Sequence, residues 1–405
     1  MLSEDAIDAL VQLIVSRQEN INNYVIQQIA KKIKEIGELS VSDSYKLERI
    51  LKMGGDVKKI NKEIARLTGL QEQEIKTILK AVAKSAYTDT KKYYDYRHKP
   101  FIPFEKNIPL QRRLEAIARV TLNTYENLSD SRATGFLIRD LAHPGVLTFQ
   151  PIEAAYKTII DEAIQAAQSG IIDYGTAMRR TLQQLVDSGV RKISWDSGYI
   201  QRLDTAVKRN LLEGIKSINQ EVQNVTGEQY GADGKEITVH AYSAPDHEPI
   251  QGHQFSNEEW EKLQSDQPFT DYKGNEFEPI QRAIGTLNCR HFAYSIILGV
   301  SKPIYTDAQL EKFKEDNAKG YTLPNGKHLT MYECTQYQRK YEWKIRKAKE
   351  AQMAAQAAGD MNLAKKYRAK VTKLTQEYKA FSRACGLSVQ NGNLSVSGYR
   401  KISTK

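Results

Sequence analysis

Side chains with the chemistry of metal ligands are concentrated in one window of the sequence. Four of the seven histidines lie there together with a cysteine: His240, His247, His253, Cys289 and His291. Imidazole nitrogen and thiolate sulfur are preferred ligands of zinc, and a tetrahedral structural site needs four ligands. We therefore take His240, His247, Cys289 and His291 as candidate zinc ligands. The carboxylate of Asp246 would orient the adjacent histidine.

The same residues allow two other interpretations. The spacing of Cys289 and His291 matches no common zinc module, and ligands one residue apart need a turn to face one ion. The preferred interpretation is that His240 and Cys289 are packed core residues while His247 and His291 make hydrogen bonds. The third is catalytic. It has either Cys289 as a nucleophile with His247 or His291 as its base, or a metal-dependent nuclease with His247 as base near Asn288 and His291. The sequence offers no carboxylate cluster of the kind that magnesium prefers.

Length and composition limit the class of protein. With 405 residues the chain is long enough for two or three domains. No uninterrupted apolar run approaches the roughly 20 residues that span a bilayer. The acidic first residues differ from the basic start of a secretory signal. We therefore expect synthesis in a cytoplasm-like compartment, with the three cysteines reduced.

The net charge of +10 suggests an anionic partner, and nucleic acid is the natural candidate. A mildly basic soluble protein without such a partner explains the charge equally well. The glycine–lysine pairs at 234–235 and 326–327 lack the other residues of a phosphate-binding loop. An ATPase of that kind is therefore excluded.

Helical periodicity dominates the first 235 residues. Apolar residues recur at helical spacing over 3–36, 42–53, 57–68, 71–86, 110–128, 151–169, 173–187 and 199–225. Glycines at 54, 55 and 69 are expected to separate the second, third and fourth of these helices. Between 91 and 109, prolines and tyrosines indicate an extended linker, which either wraps another surface or only connects two domains.

The second part of the chain has mixed character. An alternating, β-branched stretch at 236–242 predicts a strand, and Asn325-Gly326 predicts a two-residue hairpin turn. Residues 335–384 are helical and basic, and Gly359-Asp360 supplies a helix end followed by an N-cap, which predicts an antiparallel helical hairpin. The expected fold is mainly α. It comprises an N-terminal helical region (1–90), the linker (91–109), a helical domain (110–235), a small α+β domain with the His/Cys cluster (236–330), and a basic helical hairpin and tail (331–405).

The basic residues of this helical hairpin are the candidate nucleic-acid ligands. They are Arg339, Lys340, Lys344, Arg346, Lys347, Lys365, Lys366 and Arg368. Such side chains neutralise phosphates without reading base sequence, so binding would fall steeply with added salt. The alternative is a solvated helix pair whose charges only keep it soluble.

Short motifs in and beside the His/Cys window resemble the phage minor capsid protein family, in particular minor capsid protein 2. The motifs are Val239-His240, Ser243-Ala244-Pro245-Asp246-His247, Gln251-Gly252-His253-Gln254-Phe255-Ser256 and Leu287-Asn288-Cys289-Arg290-His291. They mark Asp246, Gln251, Gly252, Asn288 and Arg290 as motif residues. The resemblance extends over most of residues 1–400. Many relatives have tryptophan before the Gln-Gly pair, where this chain has Ile250.

The resemblance implies a structural protein of the virion and not an enzyme. Such proteins are similar in role to the Mu F-like head morphogenesis proteins. They are encoded beside the portal protein, enter the head in few copies and are thought to act in head assembly or DNA delivery.

The implied location is the capsid interior near the portal, away from membranes. The expected partners are the portal protein, major capsid or scaffold proteins, and packaged double-stranded DNA, with the protein oligomeric in the particle. The expected cofactor is none, or one structural zinc. Two hypotheses compete: a metal-dependent nuclease or toxin-like enzyme carried with the head, and a nucleic-acid-binding protein outside any particle.

Overall fold

The computed structural model describes residues 4–37, 43–126, 133–139, 145–169, 174–193, 198–264, 268–271, 274–278, 280, 284, 289 and 291–402. The chain forms two compact units. The first comprises Met1–Val11, Glu74–Leu122 and Arg209–Tyr337, and the second comprises Gln12–Gln73, Asn123–Lys208 and Gln338–Lys405. The domain boundaries expected from the sequence, each a continuous range, stay a prediction.

Helices make up most of the described chain, which confirms the expected mainly α fold. They are α1 (Glu4–Gly37), α2 (Asp43–Asp89), α3 (Lys91–Tyr96), α4 (Ile108–Glu126), α5 (Ile152–Ser169), α6 (Tyr174–Ser188), α7 (Leu203–Tyr230), α8 (Asn257–Leu263), α9 (Asp307–Lys319), α10 (Met331–Ala357) and α11 (Met361–Ala384). Short 3-10 helices lie at Phe104–Lys106 and Gly392–Leu394. No helix in the described part of the chain combines the length and apolar composition needed to cross a bilayer.

The strands are short and antiparallel. They are β1 (Thr134–Arg139), β2 (Leu147–Pro151), β3 (Arg191–Ile193), β4 (Ile200–Arg202), β5 (Gly234–Ile237), β6 (Gln254–Ser256), β7 (Phe269–Thr270), β8 (Glu276–Phe277), β9 (Ala293–Ile296), β10 (Tyr321–Thr322) and β11 (His328–Leu329). They form a four-stranded sheet in the order β2-β1-β3-β4, a three-stranded sheet in the order β6-β5-β9, and the two-stranded pairs β7-β8 and β10-β11.

In the first unit, α8 packs on the three-stranded sheet and closes a small apolar core. Its buried members are Ile237, Ile250, Phe255, Leu263 and Phe277. A capping box starts α8: the Ser256 side chain accepts from the N–H of Glu259, whose carboxylate accepts from the N–H of Ser256. Ile250 therefore has an apolar environment in this core.

The tyrosine-rich segment at 91–109 was expected to be extended, and this prediction was wrong for α3. Tyr94 is buried, and its ring packs edge-on against Tyr230 at a centroid distance of 5.5 Å. Tyr93 stacks on the same Tyr230 ring at 5.1 Å. Because burying an aromatic ring removes a large apolar area from water, packing within the first unit outweighs the linker-like composition.

In the second unit, α5 and α6 pack against β1 of the four-stranded sheet. Phe136 and Ile138 of β1 are fully buried. The sequence did not predict this sheet, because three-residue strands such as β3 and β4 are too short to show an alternating pattern. The prediction of a helix over 199–225 was wrong for its first residues, because β4 occupies them and α7 begins at Leu203.

The three helices expected between 42 and 86 are one continuous helix, α2. Glycine inside a helix costs only about 1 kcal/mol relative to alanine, and it removes no backbone hydrogen bond. The glycines at 54, 55 and 69 therefore lower helix propensity without ending the helix. The prediction of three separate helices was wrong for this reason.

The helical hairpin formed by α10 and α11 is confirmed. Gly359 adopts φ 79° between the helices, and the Asp360 side chain caps α11 by accepting from the N–H of Leu363 at 2.9 Å. Gln338 donates to Ser382 at 3.0 Å, and Tyr378 donates to Glu342 at 3.1 Å. These contacts run in opposite directions along the two helices, as an antiparallel pair requires.

The strand hairpin around Asn325-Gly326 is also present, but its turn is longer than the two residues expected. The N–H of Leu323 donates to the carbonyl of Lys327 at 2.9 Å, so three residues lie between the paired positions. Gly326 has φ 83°, the conformation that a three-residue hairpin needs at its last turn position.

Three carboxylates and two guanidinium groups lie close together, largely buried, in the second unit. Arg202 donates to Asp204 at 3.2 Å and to Glu350 at 3.0 Å, and Arg346 donates to Glu19 at 2.8 Å. Burial raises the pKa of Glu19 to about 7 against the opposing charge of Arg346. Burial alone would raise the pKa of Asp204, but the charges of Arg202 and Arg346 hold it below its usual value.

Replacing Glu19 by glutamine is expected to flatten the pH dependence of stability. The pKa of this carboxyl is about 7 when folded against a usual value of 4.5. Its contribution is therefore complete below the lower value and is lost as the pH rises through the higher one. The loss is at most about 3 kcal/mol. Urea unfolding at about pH 5 and about pH 8 should show a larger fall in the wild type than in Glu19→Gln.

The control for this experiment is Glu35→Gln, on the same helix. Glu35 is exposed, and its carboxylate lies 2.9 Å from Lys32, so this variant should keep the wild-type pH dependence. An unchanged pH dependence in Glu19→Gln would contradict the raised pKa.

A side chain at Gly135 is expected to disrupt the pairing of β1 with β2. A Cβ atom there would lie 1.9 Å from the carbonyl oxygen of Gln150, so the backbone would have to move. Gly135→Ala should lower the free energy of unfolding, measured with urea, by about 2–3 kcal/mol. In Gly392→Ala the new Cβ meets nothing within 4 Å, and stability should change by less than about 0.5 kcal/mol. Equal effects of the two substitutions would refute the close approach.

Candidate metal centre

The three-stranded sheet brings the histidine and cysteine side chains together. β5 is its central strand, and Ile237 at the end of β5 pairs with Ala293 at the start of β9. The connection from β5 to β6 and the segment before β9 therefore meet at one end of the sheet. The connection carries His247 and the segment carries Cys289, which are 42 positions apart in the sequence.

The strand expected at 236–242 is confirmed only for its first two residues, since β5 ends at Ile237. The N–H of Gly252 donates to the carbonyl of Ile237 at 2.9 Å and closes the connection at its base. Gly252 has φ 76°, and a Cβ atom there would lie 2.4 Å from the Leu310 side chain and 2.9 Å from that of Val239. Glycine therefore suits this motif position for two separate reasons. His240 lies in the connection and not on a strand.

Three of the four candidate ligands lie within ligand distance of one another. The Sγ atom of Cys289 is 3.2 Å from Nδ1 of His247 and 3.5 Å from Nδ1 of His291. One ligand atom from each of the three residues lies within 4.8 Å of the other two. All three side chains are buried, with exposed fractions of 3% for Cys289, 1% for His247 and 4% for His291.

The outer nitrogen of each histidine faces oxygen atoms. Nε2 of His247 lies 3.6 Å from Oδ2 of Asp246. Nε2 of His291 lies 3.3 Å from Oε1 of Gln251 and 3.4 Å from Oγ of Ser243. Metal-binding histidines typically have such partners on the nitrogen that does not bind the metal. Ser243 was not among the sequence candidates, although it stands at the start of the motif that contains Asp246.

The fourth candidate ligand, His240, lies beside this group. Its ring packs edge-on against His291 with a centroid distance of 4.5 Å, and its backbone N–H donates to Oε1 of Gln251 at 2.9 Å. His253 packs against Phe277 at 5.5 Å. The motif residues Asn288 and Arg290 lie outside the described residues.

Burial lowers the pKa of His291 below its usual value. The neighbouring rings of His240 and His247 act in the same direction, while the hydrogen bond with Cys289 opposes them. His291 is therefore neutral near pH 7, which is the protonation state in which a histidine binds a metal ion.

The burial of the cluster argues against the catalytic interpretations. A nucleophilic cysteine or a general base must reach its substrate, and here the thiol and both imidazoles are nearly inaccessible. The arrangement can instead hold a metal ion or a hydrogen-bonded core. Both are structural roles.

The candidate nucleic-acid ligands differ in exposure: four are exposed, and four are half-buried. Arg346 and Lys347 are paired with carboxylates: Arg346 with Glu19 at 2.8 Å and Lys347 with Asp187 at 2.6 Å. Arg368 donates to Thr372 at 2.8 Å, and Lys365 is half-buried. The exposed members are Arg339, Lys340, Lys344 and Lys366. Binding of nucleic acid by these residues stays a prediction.

The comparison with protein families confirms the resemblance seen in the sequence motifs. The family model of phage minor capsid protein 2 matches residues 2–382. Neither a curated protein nor a solved structure matches the chain. Because the matched range covers nearly the whole chain and includes the buried His/Cys cluster, the chain belongs to the phage minor capsid protein 2 family.

Proposed function

We propose that this protein lies inside the head of a tailed phage near the portal, contacts packaged DNA through its α10–α11 hairpin, and acts in head assembly or DNA delivery. Family membership assigns the chain to the phage head as a structural protein. At such a position the protein would contact the portal protein and the major capsid or scaffold proteins. The observation that carries the DNA contact is the distribution of charge over the hairpin.

Acidic and basic residues are segregated in the hairpin. Between residues 338 and 384 the acidic residues are Glu342 and Glu350, which are buried, and Asp360 and Glu377, which are half-buried. Exposed basic residues are numerous: Arg339, Lys340, Lys344, Lys366, Lys370, Lys373 and Arg383. The surface of this segment is therefore strongly positive, as expected for a protein that neutralises phosphates.

Two half-buried cations of the hairpin are paired with carboxylates, which supports the assignment of DNA contact to the exposed cations. Arg346 and Lys347 hold the hairpin against other helices of the second unit through Glu19 and Asp187. Charges used in this way are not available for phosphates. DNA contact is assigned to the exposed set without Lys373, which lies 4.0 Å from Glu377. It is independent of base sequence because these long side chains would meet the phosphate backbone.

Removing four exposed charges is expected to weaken DNA binding and its salt dependence. The variant is Lys340→Gln, Lys344→Gln, Lys366→Gln and Lys370→Gln in one chain. Each lost phosphate contact removes about 0.9 from the slope of log K against log salt concentration. The slope should therefore fall by about three to four. Titration of unrelated duplexes with the full chain at several salt concentrations measures both quantities.

The matched control removes four exposed lysines of the first unit, Lys302, Lys312, Lys314 and Lys319, by the same substitution. It has the same net charge as the hairpin variant, so it separates the location of charge from its total. The control should keep most of the wild-type slope. Equal losses in the two variants would overturn the assignment of DNA contact to the hairpin.

The particle itself tests the proposed location. Heads purified from the producing cells should contain the protein in few copies, together with the portal protein, and quantitative mass spectrometry gives the copy number. The protein should resist added protease in intact heads and become sensitive once the heads are opened. Absence from particles, or digestion in intact ones, would contradict the proposal.

A further inference from the structure

We propose that His247, Cys289 and His291 bind one zinc ion through the two Nδ1 atoms and the thiolate, and that the ion joins the β5–β6 connection to the segment before β9. This site does not depend on the proposed position in the head. Its success or failure is therefore distinguishable from that of the DNA contact.

The distances between the ligand atoms fit a tetrahedral zinc ion. Zinc–sulfur bonds of about 2.3 Å and zinc–nitrogen bonds of about 2.0–2.1 Å place sulfur and nitrogen about 3.5 Å apart at a tetrahedral angle. The two sulfur–nitrogen distances are 3.2 Å for His247 and 3.5 Å for His291. Zinc could bind here with little movement of these side chains.

The orientation of Gln251 determines which nitrogen of His291 carries the proton. Oε1 of Gln251 accepts from the backbone N–H of His240 at 2.9 Å, which identifies this atom as the amide oxygen. Nε2 of His291 lies 3.3 Å from the same oxygen and must act as the donor. A neutral imidazole has only one N–H. Nδ1 of His291 therefore presents a lone pair to the sulfur of Cys289.

The carboxylate of Asp246 favours the same tautomer for His247. Its Oδ2 atom lies 3.6 Å from Nε2 and attracts the proton to that nitrogen. Nδ1 of His247 then presents a second lone pair to Cys289. Two nitrogen lone pairs and one thiolate directed at a common point are ligands that zinc prefers. A thiolate and a zinc ion satisfy both nitrogens and the sulfur at once.

A further contact supports a thiolate at this position. The backbone N–H of His291 points to Sγ of Cys289 at 3.4 Å, and such N–H donors stabilise negative charge on a ligating sulfur. The ion would be structural and not catalytic because the cluster is buried. A small apolar core gains stability from a metal crosslink of this kind. The fourth position is left to a water molecule or to His240.

The test uses the purified full chain. Elemental analysis should find about one zinc per chain in the wild type and less than a tenth of that in Cys289→Ala. Cys334→Ala is the matched control, because Cys334 is also buried but belongs to α10, and this variant should retain the zinc. A strong chelator should lower the melting temperature of the wild type and of Cys334→Ala.

A second measurement covers the case in which Cys289→Ala fails to fold. Cobalt substituted into the wild-type chain should produce the intense near-ultraviolet absorption of a cobalt–thiolate bond and the visible bands of tetrahedral cobalt. A wild type without zinc after loading, with no cobalt–thiolate band and no response to chelator, would overturn the proposal and leave a hydrogen-bonded core. Zinc retained in folded Cys289→Ala would overturn the ligand assignment.

Discussion

The antiparallel pairing of β5 with β9 is the interaction on which the His/Cys cluster depends. It is short, running from Gly234 opposite Ile296 to Ile237 opposite Ala293. A hydrogen bond from α7 supports this pairing: the Tyr230 hydroxyl donates to the carbonyl of Ser295 in β9 at 2.7 Å. Two segments that are distant in sequence thus leave the sheet at one point, and each brings part of the cluster. Without this register the imidazoles and the thiol would not lie within ligand distance of one another.

The two units bury polar groups by different means. In the second unit, guanidinium groups contact carboxylates, as Arg202 does with Asp204 and Glu350, and burial raises the pKa of Glu19. In the first unit, the imidazole rings of His291 and His247 face the oxygens of Gln251 and Asp246. A buried charge pair contributes little net stability but is costly to break. Both arrangements are therefore better understood as requirements for a unique packing than as large sources of stability.

How much could be predicted from the sequence depended on the range of the interactions involved. The long helices and the hairpin around Gly359 were predictable, since periodicity and capping are local. The sheet of β1 to β4 was missed because β1 pairs with the remote β3 and because β3 and β4 have only three residues each. The cluster was recognised by residue type, but only the fold separates His240 from His247, Cys289 and His291. Sequence likewise could not show that Arg346 is already paired with Glu19.

The exposed cations of the α10–α11 hairpin could bind any nucleic acid, so it matters which nucleic acid they meet first. When the cations of the hairpin bind phosphates, counterions condensed on the nucleic acid are released, and both DNA and RNA carry such counterions. Such a surface does not distinguish the viral genome from cellular RNA. Under the proposed location inside the head, selectivity would come from enclosure, because the nucleic acid packaged through the portal would be the polymer within reach.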